Sequence, residues 1–142
     1  MKTLLFIAVF LAAGVLNAQS NDTQRLVKLT VEVEGELPSR GKLLLTLFDS
    51  EAAWLKKEVK AMSIDVTSTK DYVFEIEGLP VGTYAVSIIH DENNNGKLDM
   101  GVMGPEEGYG FSNNARSMFG PAPFHKAAME VPEDTKTTIQ IK

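Results

Sequence analysis

The chain contains no cysteine. That excludes disulfide bridges, thiol nucleophiles, cysteine-held zinc, iron–sulfur clusters and a lipid carried on a terminal cysteine. Histidine is almost as scarce, with only His90 and His125. The sequence shows no Ser-His-Asp order, His-Glu-x-x-His pair or phosphate-cradling glycine loop. Basic residues are in the minority: 14 Lys and Arg stand against 19 Asp and Glu, for a net charge of −5. An acidic chain with dispersed lysines is a poor binder of nucleic acid or of an anionic membrane. Long apolar runs are missing as well. The longest, Leu4–Leu16, falls short of the roughly 20 residues that a membrane-spanning helix needs.

What is present begins with that run. Lys2 precedes it, and Asn17-Ala18-Gln19 ends it with a small residue at a polar boundary. This is the pattern of a secretory signal peptide cut after Ala18, with a retained N-terminal anchor as the alternative. Residues 1–18 are then a leader, and residues 19–142 form one domain large enough to bury a single core. The mature product is expected in the periplasm or outside the cell. Held by no disulfide, it depends on its core, with or without a bound metal.

Beyond a polar lead-in at Asn21–Arg25, Val27, Leu29, Val31 and Val33 alternate with Lys28, Thr30, Glu32 and Glu34. Period two with polar partners predicts a half-buried strand. Leu43–Phe48 is nearly all apolar, as in a central strand, and Val59–Val66 is compatible with another. Tyr72, Phe74 and Ile76 alternate with Val73, Glu75 and Glu77. The pattern returns at Tyr84–Ile88, at Met129–Val131 and from Thr137 to Ile141. Turns fall at Gly35–Gly41 and Gly78–Gly82. Between Asp49 and Lys57, an acid first and lysines last predict a short helix, pinned to the core by Trp54. Lys56, Lys57 and Lys60 read as a solvated face. The expected fold is all-β: a single antiparallel β-sandwich of about seven strands, one short helix and a long loop.

That loop runs from Asp91 to His125 and carries the candidate chemistry. Asp91, Asn93 and Asn95 place oxygens at alternate positions, Gly96 permits a sharp turn, and the Lys97 carbonyl and Asp99 follow. This is the first part of a calcium loop as EF-hands build it. Val102 stands where the closing bidentate glutamate would be, so Glu106 or Glu107 would have to fold back and supply it. With few charges in the loop, the expected affinity is weak, of order 10⁻⁴–10⁻³ M. The competing reading is a plain turn, for which Asn95-Gly96 suffices. It leaves the placement of Asp91 and Asp99 unexplained.

Farther on, Tyr109, Asn113, Asn114 and Arg116 are candidates for contact with a sugar or peptide by stacking and hydrogen bonding. The phenylalanines among them, Phe111, Phe119 and Phe124, are expected to fold down as a lid on the core. His90 ends a strand beside the acidic loop and is a further ligand-binding candidate. It could meet His125, or act with Glu106 or Glu107 as an acid–base pair. Simple packing of His90 at the strand end is the alternative.

Three pieces resemble one family. They are Gly78–Val86 (GLPVGTYAV), His90–Asp99 (HDENNNGKLD) and Glu107–Asn114 (EGYGFSNN), the last extended by Phe119–Phe124 (FGPAPF). Together they resemble the exported bacterial proteins known only as domain of unknown function 2141. The resemblance implies a small exported β-sandwich without an established activity or substrate. The first piece is also similar to a turn-and-strand signature of transthyretin-like and carboxypeptidase-regulatory-like sandwiches, which makes the expected sandwich immunoglobulin-like or transthyretin-like. Transthyretin-like hydrolases end in Tyr-Arg-Gly-Ser. This chain ends Gln140-Ile141-Lys142, so their chemistry does not transfer. The leading expectation is a non-catalytic exported module, with a calcium-ordered loop presented to a peptide, glycan or envelope protein. The alternatives are a hydrolase using His90 with Glu106 or Glu107, and a structural or accessory subunit of an envelope assembly.

Overall fold

The computed structural model describes residues 24–67 and 71–142. The leader expected at residues 1–18 lies outside them. Among the described residues, no helix is long and apolar enough to cross a membrane.

The molecule is mostly β, in open sheets with no barrel. The first sheet joins β10 (Thr135–Gln140), β1 (Leu26–Glu34) and β4 (Tyr72–Pro80) in that order. The second runs β3 (Lys60–Asp65), β2 (Lys42–Phe48), β5 (Gly82–Asp91) and β8 (Tyr109–Phe111), with β9 (Met129–Val131) also on β5. A two-residue pair, β6 (Met100–Gly101) and β7 (Gly104–Pro105), makes a small separate hairpin. Alternation places Val27, Leu29, Val31 and Val33 on the same buried side of β1. They meet Phe74 and Ile76 of β4, Leu43, Leu45 and Leu47 of β2, and Val86 and Ile88 of β5 in one core shared by both sheets. Each of these leucines removed from water contributes about 1.5–3 kcal/mol, so the alternation itself fixes the register.

Every strand read from alternation is present. Three differences stand out. First, the sheets are not wholly antiparallel, because β1 pairs with β10 in parallel, Leu29 opposite Thr135. Parallel neighbours need a long crossover, here nearly the whole chain. Second, Asp49–Lys57 forms no helix. Trp54 donates to the Glu51 carbonyl and Lys56 to that of Ala53, but Leu55 takes φ 54° and stops propagation. The short helix, α1, lies instead at Phe124–Ala127. Third, the long loop is not structureless. It contains β6, β7, β8 and a 3₁₀ turn at Ser112–Asn114, bringing the strand segments among the described residues to ten.

Sheet two is covered on its other face as well. There Phe48, Trp54, Ala85, Phe111, Ala115, Ala122 and Ala127 form a second small core. The Trp54 indole donates to the Ala122 carbonyl at 2.9 Å and packs on Phe48 and Phe111, with ring centroids at 5.0 and 5.6 Å. Trp54 thus pins the turn and the loop to the sheet. Phe111 and Phe124 fold down as expected. Phe119 does not; it is 87% exposed.

Candidate functional site

Strand β5 is central and buried along most of its length, and it delivers His90 and Asp91 to the loop while still buried. The His90 ring is 1% exposed. Its Nε2–H donates to the Arg40 carbonyl at 2.8 Å, and Nδ1 stands 4.0 Å from Glu92. Arg40 in turn forms an ion pair with Glu92. Next to it, Gly41 at φ +72° lies so close to the Asp91 carbonyl that a Cβ would come within 2.1 Å of it. Only glycine fits there. The Pro38–Gly41 turn therefore buttresses the base of the loop.

Asp91 is 2% exposed and organises the turn above it. Its carboxylate accepts the backbone N–H groups of Asn95 (3.0 Å) and Gly96 (2.8 Å). The side-chain oxygens of Asn93 and Asn95 accept from the backbone of Asn95 and Lys97, both at 3.0 Å. Their amide nitrogens turn to Asp99, at 2.6 Å from Asn93 and 2.9 Å from Asn95. Those two donors hold the Asp99 carboxyl below its ordinary value, the Asn95 bond contributing most. Positions 91, 93, 95 and 99 thus turn inward on one another.

Glu107 folds back, as the missing closing ligand would require. It is buried and accepts the N–H of Glu92 at 2.9 Å and that of Asp99 at 3.0 Å, one with each oxygen. Both ends of the loop hang on this one carboxylate. Glu106 donates its backbone N–H to the Asp99 carbonyl and rests its side chain against Gly101. Among the described residues no group of three or more Asp, Glu or His side chains converges closely enough to hold a metal. The remaining oxygens around the turn are the amides of Asn93 and Asn95 and the Lys97 carbonyl.

The other candidates face their own fold. Asn113, at φ 57°, donates to the carbonyls of Lys126 (3.2 Å) and Ala128 (2.8 Å), tying the 3₁₀ turn to α1. Asn114 accepts the Gln140 N–H at 2.8 Å and so occupies the edge of β10. Arg116 lies over the Tyr109 ring at 5.7 Å and reaches the Gln140 carbonyl at 3.4 Å. His125 is exposed on α1. The strand that follows it, β9, pairs with Gly82–Tyr84, at the opposite end of β5 from His90, about 20 Å along the strand. The fold does not bring the two histidines together there. Glu107, with both oxygens on backbone N–H groups, is placed as a clamp.

Sequence reasoning missed a wall of exposed side chains beside this loop: Met100, Val102, Met103, Met118 and Phe119. The available signal was two loop stretches, Met100–Pro105 and Ser117–Pro123, that lack a single charged residue. Of these five, Phe119 alone carried an expectation of burial, and it is exposed.

A family model described as an uncharacterized protein conserved in bacteria (DUF2141) matches residues 31–140. The chain belongs to this family. No curated protein and no solved structure matches it.

Proposed function

We propose that this DUF2141 member is an exported, non-catalytic β-sandwich module of immunoglobulin-like or transthyretin-like type. Calcium orders its Asp91–Glu107 loop, and the ordered loop presents a binding surface to a peptide, glycan or envelope protein. The sandwich is supported by the main core that the two sheets share, as two packed layers require.

One observation carries the calcium reading: Asp91, Asn93, Asn95 and Asp99 turn inward around the same turn, with Glu107 folded back onto its base. Each amide oxygen there accepts one N–H and keeps a second lone pair. A hard cation of six to eight oxygen ligands would draw on these oxygens, the Lys97 carbonyl and water. On Asp99 it would take the place that the two amide nitrogens hold. Its chemical contribution is charge neutralisation and ordering.

The test is calorimetric titration of the chelator-treated mature chain with calcium, with magnesium as control. The expected result is one saturable site with a Kd of about 10⁻⁴–10⁻³ M. At ten times Kd, linkage adds about 1.4 kcal/mol of stability. Asp91→Ala with Asp99→Ala abolishes the increment, and Asp99→Asn alone weakens it. An unchanged response in the double variant would place the ion elsewhere.

A further inference from the structure

The outer face of the second sheet carries a trough of about 740 Å³. Its floor is Thr46, Phe48, Ser87, Ile89, Tyr109 and Phe111, the alternate residues of β2, β5 and β8 that turn away from the shared core. The β6–β7 hairpin lines it with Met100 and Met103, and the Ser117–Pro121 arm lines it with Met118 and Phe119. Met103, Met118 and Phe119 are 98%, 91% and 87% exposed. Large apolar side chains left in water around one concavity mark a binding site. Methionine in particular suits a wall that must adapt to a flexible occupant.

Charge narrows the choice of occupant. Both of these segments are free of charged residues in a chain whose net charge is −5. The charged residues that line the trough are Lys56 and Glu58. They sit at the end of β2, where Val59 donates to the Leu47 carbonyl. Among the described residues neither joins an ion pair. The hairpin, held at its base by the Asp99–Glu107 bond, flanks the Ile89 end. The trough is thus uncharged along its length and polar at one end, with one cation and one anion that cancel.

We propose that this trough binds one single-chain amphiphile. Its aliphatic tail lies against the methionines, and its uncharged, hydroxyl-bearing head meets Lys56 as donor and Glu58 as acceptor. The volume matches a single drug-sized ligand. This goes beyond the calcium reading and rests on it only in treating the chain as a binding module.

Trp54 is the one tryptophan of the chain and packs on Phe48 and Phe111 of the trough floor, so its fluorescence reports occupancy. The experiment titrates the mature chain with octyl, nonyl and decyl glucoside below their micelle concentrations, once in chelator and once in calcium. The expected signal saturates, and affinity rises up to about fourfold per added methylene. Met103→Glu with Met118→Glu, both at exposed positions, should weaken binding at least tenfold without lowering the Tm. A response that does not saturate, ignores chain length or survives the double substitution overturns the proposal. So does co-sedimentation with phosphatidylcholine vesicles when the glucoside titration is flat, since the face then meets a bilayer. A dimer that the double substitution dissociates also overturns it, because the face then belongs to a second copy. Saturable binding in chelator supports the amphiphile even where the calcium titration is silent, which keeps the two readings separable.

Discussion

Replacing Glu107 with glutamine changes one atom of a side chain that sequence reading offered as a late metal ligand or as an acid–base partner of His90. Its two oxygens accept the N–H groups of Glu92 and Asp99 at 2.9 and 3.0 Å, and the residue is 7% exposed. Glutamine keeps one acceptor and turns an NH₂ donor against the other N–H. A hydrogen bond to a charged acceptor contributes about 1.5–3 kcal/mol, and a buried donor left unpaired costs about 1–3 kcal/mol. Burying a neutral amide rather than a carboxylate offsets part of this. The net loss should be about 2–3 kcal/mol. For a domain of this size 1 kcal/mol moves the melting temperature by about 4 °C, so Glu107→Gln should lower it by about 8–12 °C. The measurement is thermal unfolding followed by circular dichroism in chelator, which removes any contribution of a cation. The adjacent Glu106→Gln serves as control. Its side chain is exposed, and the expected shift is near zero. Equal shifts in the two variants, or a fall of less than about 2 °C for Glu107→Gln, would refute the clamp.

Other perturbations separate packing from ligand binding. Gly110→Ala would set a Cβ 2.7 Å from the Gln140 carbonyl and 2.8 Å from an Ile139 methyl; overpacking against backbone should cost about 1–3 kcal/mol, read as a lower urea midpoint with unchanged slope. Trp54→Phe removes the bond to the Ala122 carbonyl. A loss of about 1–2 kcal/mol should follow, with faster proteolysis within Ser117–Pro123; an unchanged cleavage pattern would mean that the arm is held by other contacts. The calcium and alkyl glucoside titrations complete the set.

The strands were legible because burial writes period two into them. Val27 to Val33 and Tyr72 to Ile76 alternate in sequence and in exposure alike. A turn around Asn95-Gly96 was legible for a local reason too, since left-handed backbone selects Asn and Gly; the left-handed positions are Asn94 and Gly96, at φ 60° and 80°, and Asn95 between them is not one. The Asp49–Lys57 segment misled because helix signals are local, whereas Trp54 is drawn to a pocket built by Phe48, Phe111 and Ala122. The parallel pairing of β1 with β10 joins opposite ends of the domain, and no local pattern encodes it. The same holds for the partners of the loop. Asn113 and Asn114 read as ligand groups because an amide's chemistry is visible in sequence, but its partner is not. Only the tertiary structure gives them α1 and β10. Sequence by itself determined which residues are apolar, which turns are possible and which side chains could bind an ion. Tertiary structure decided where those groups point, because two sheets closing over one core leave the long loop to fold across the second sheet. That folding buries Phe111 and leaves Met103, Met118 and Phe119 in water.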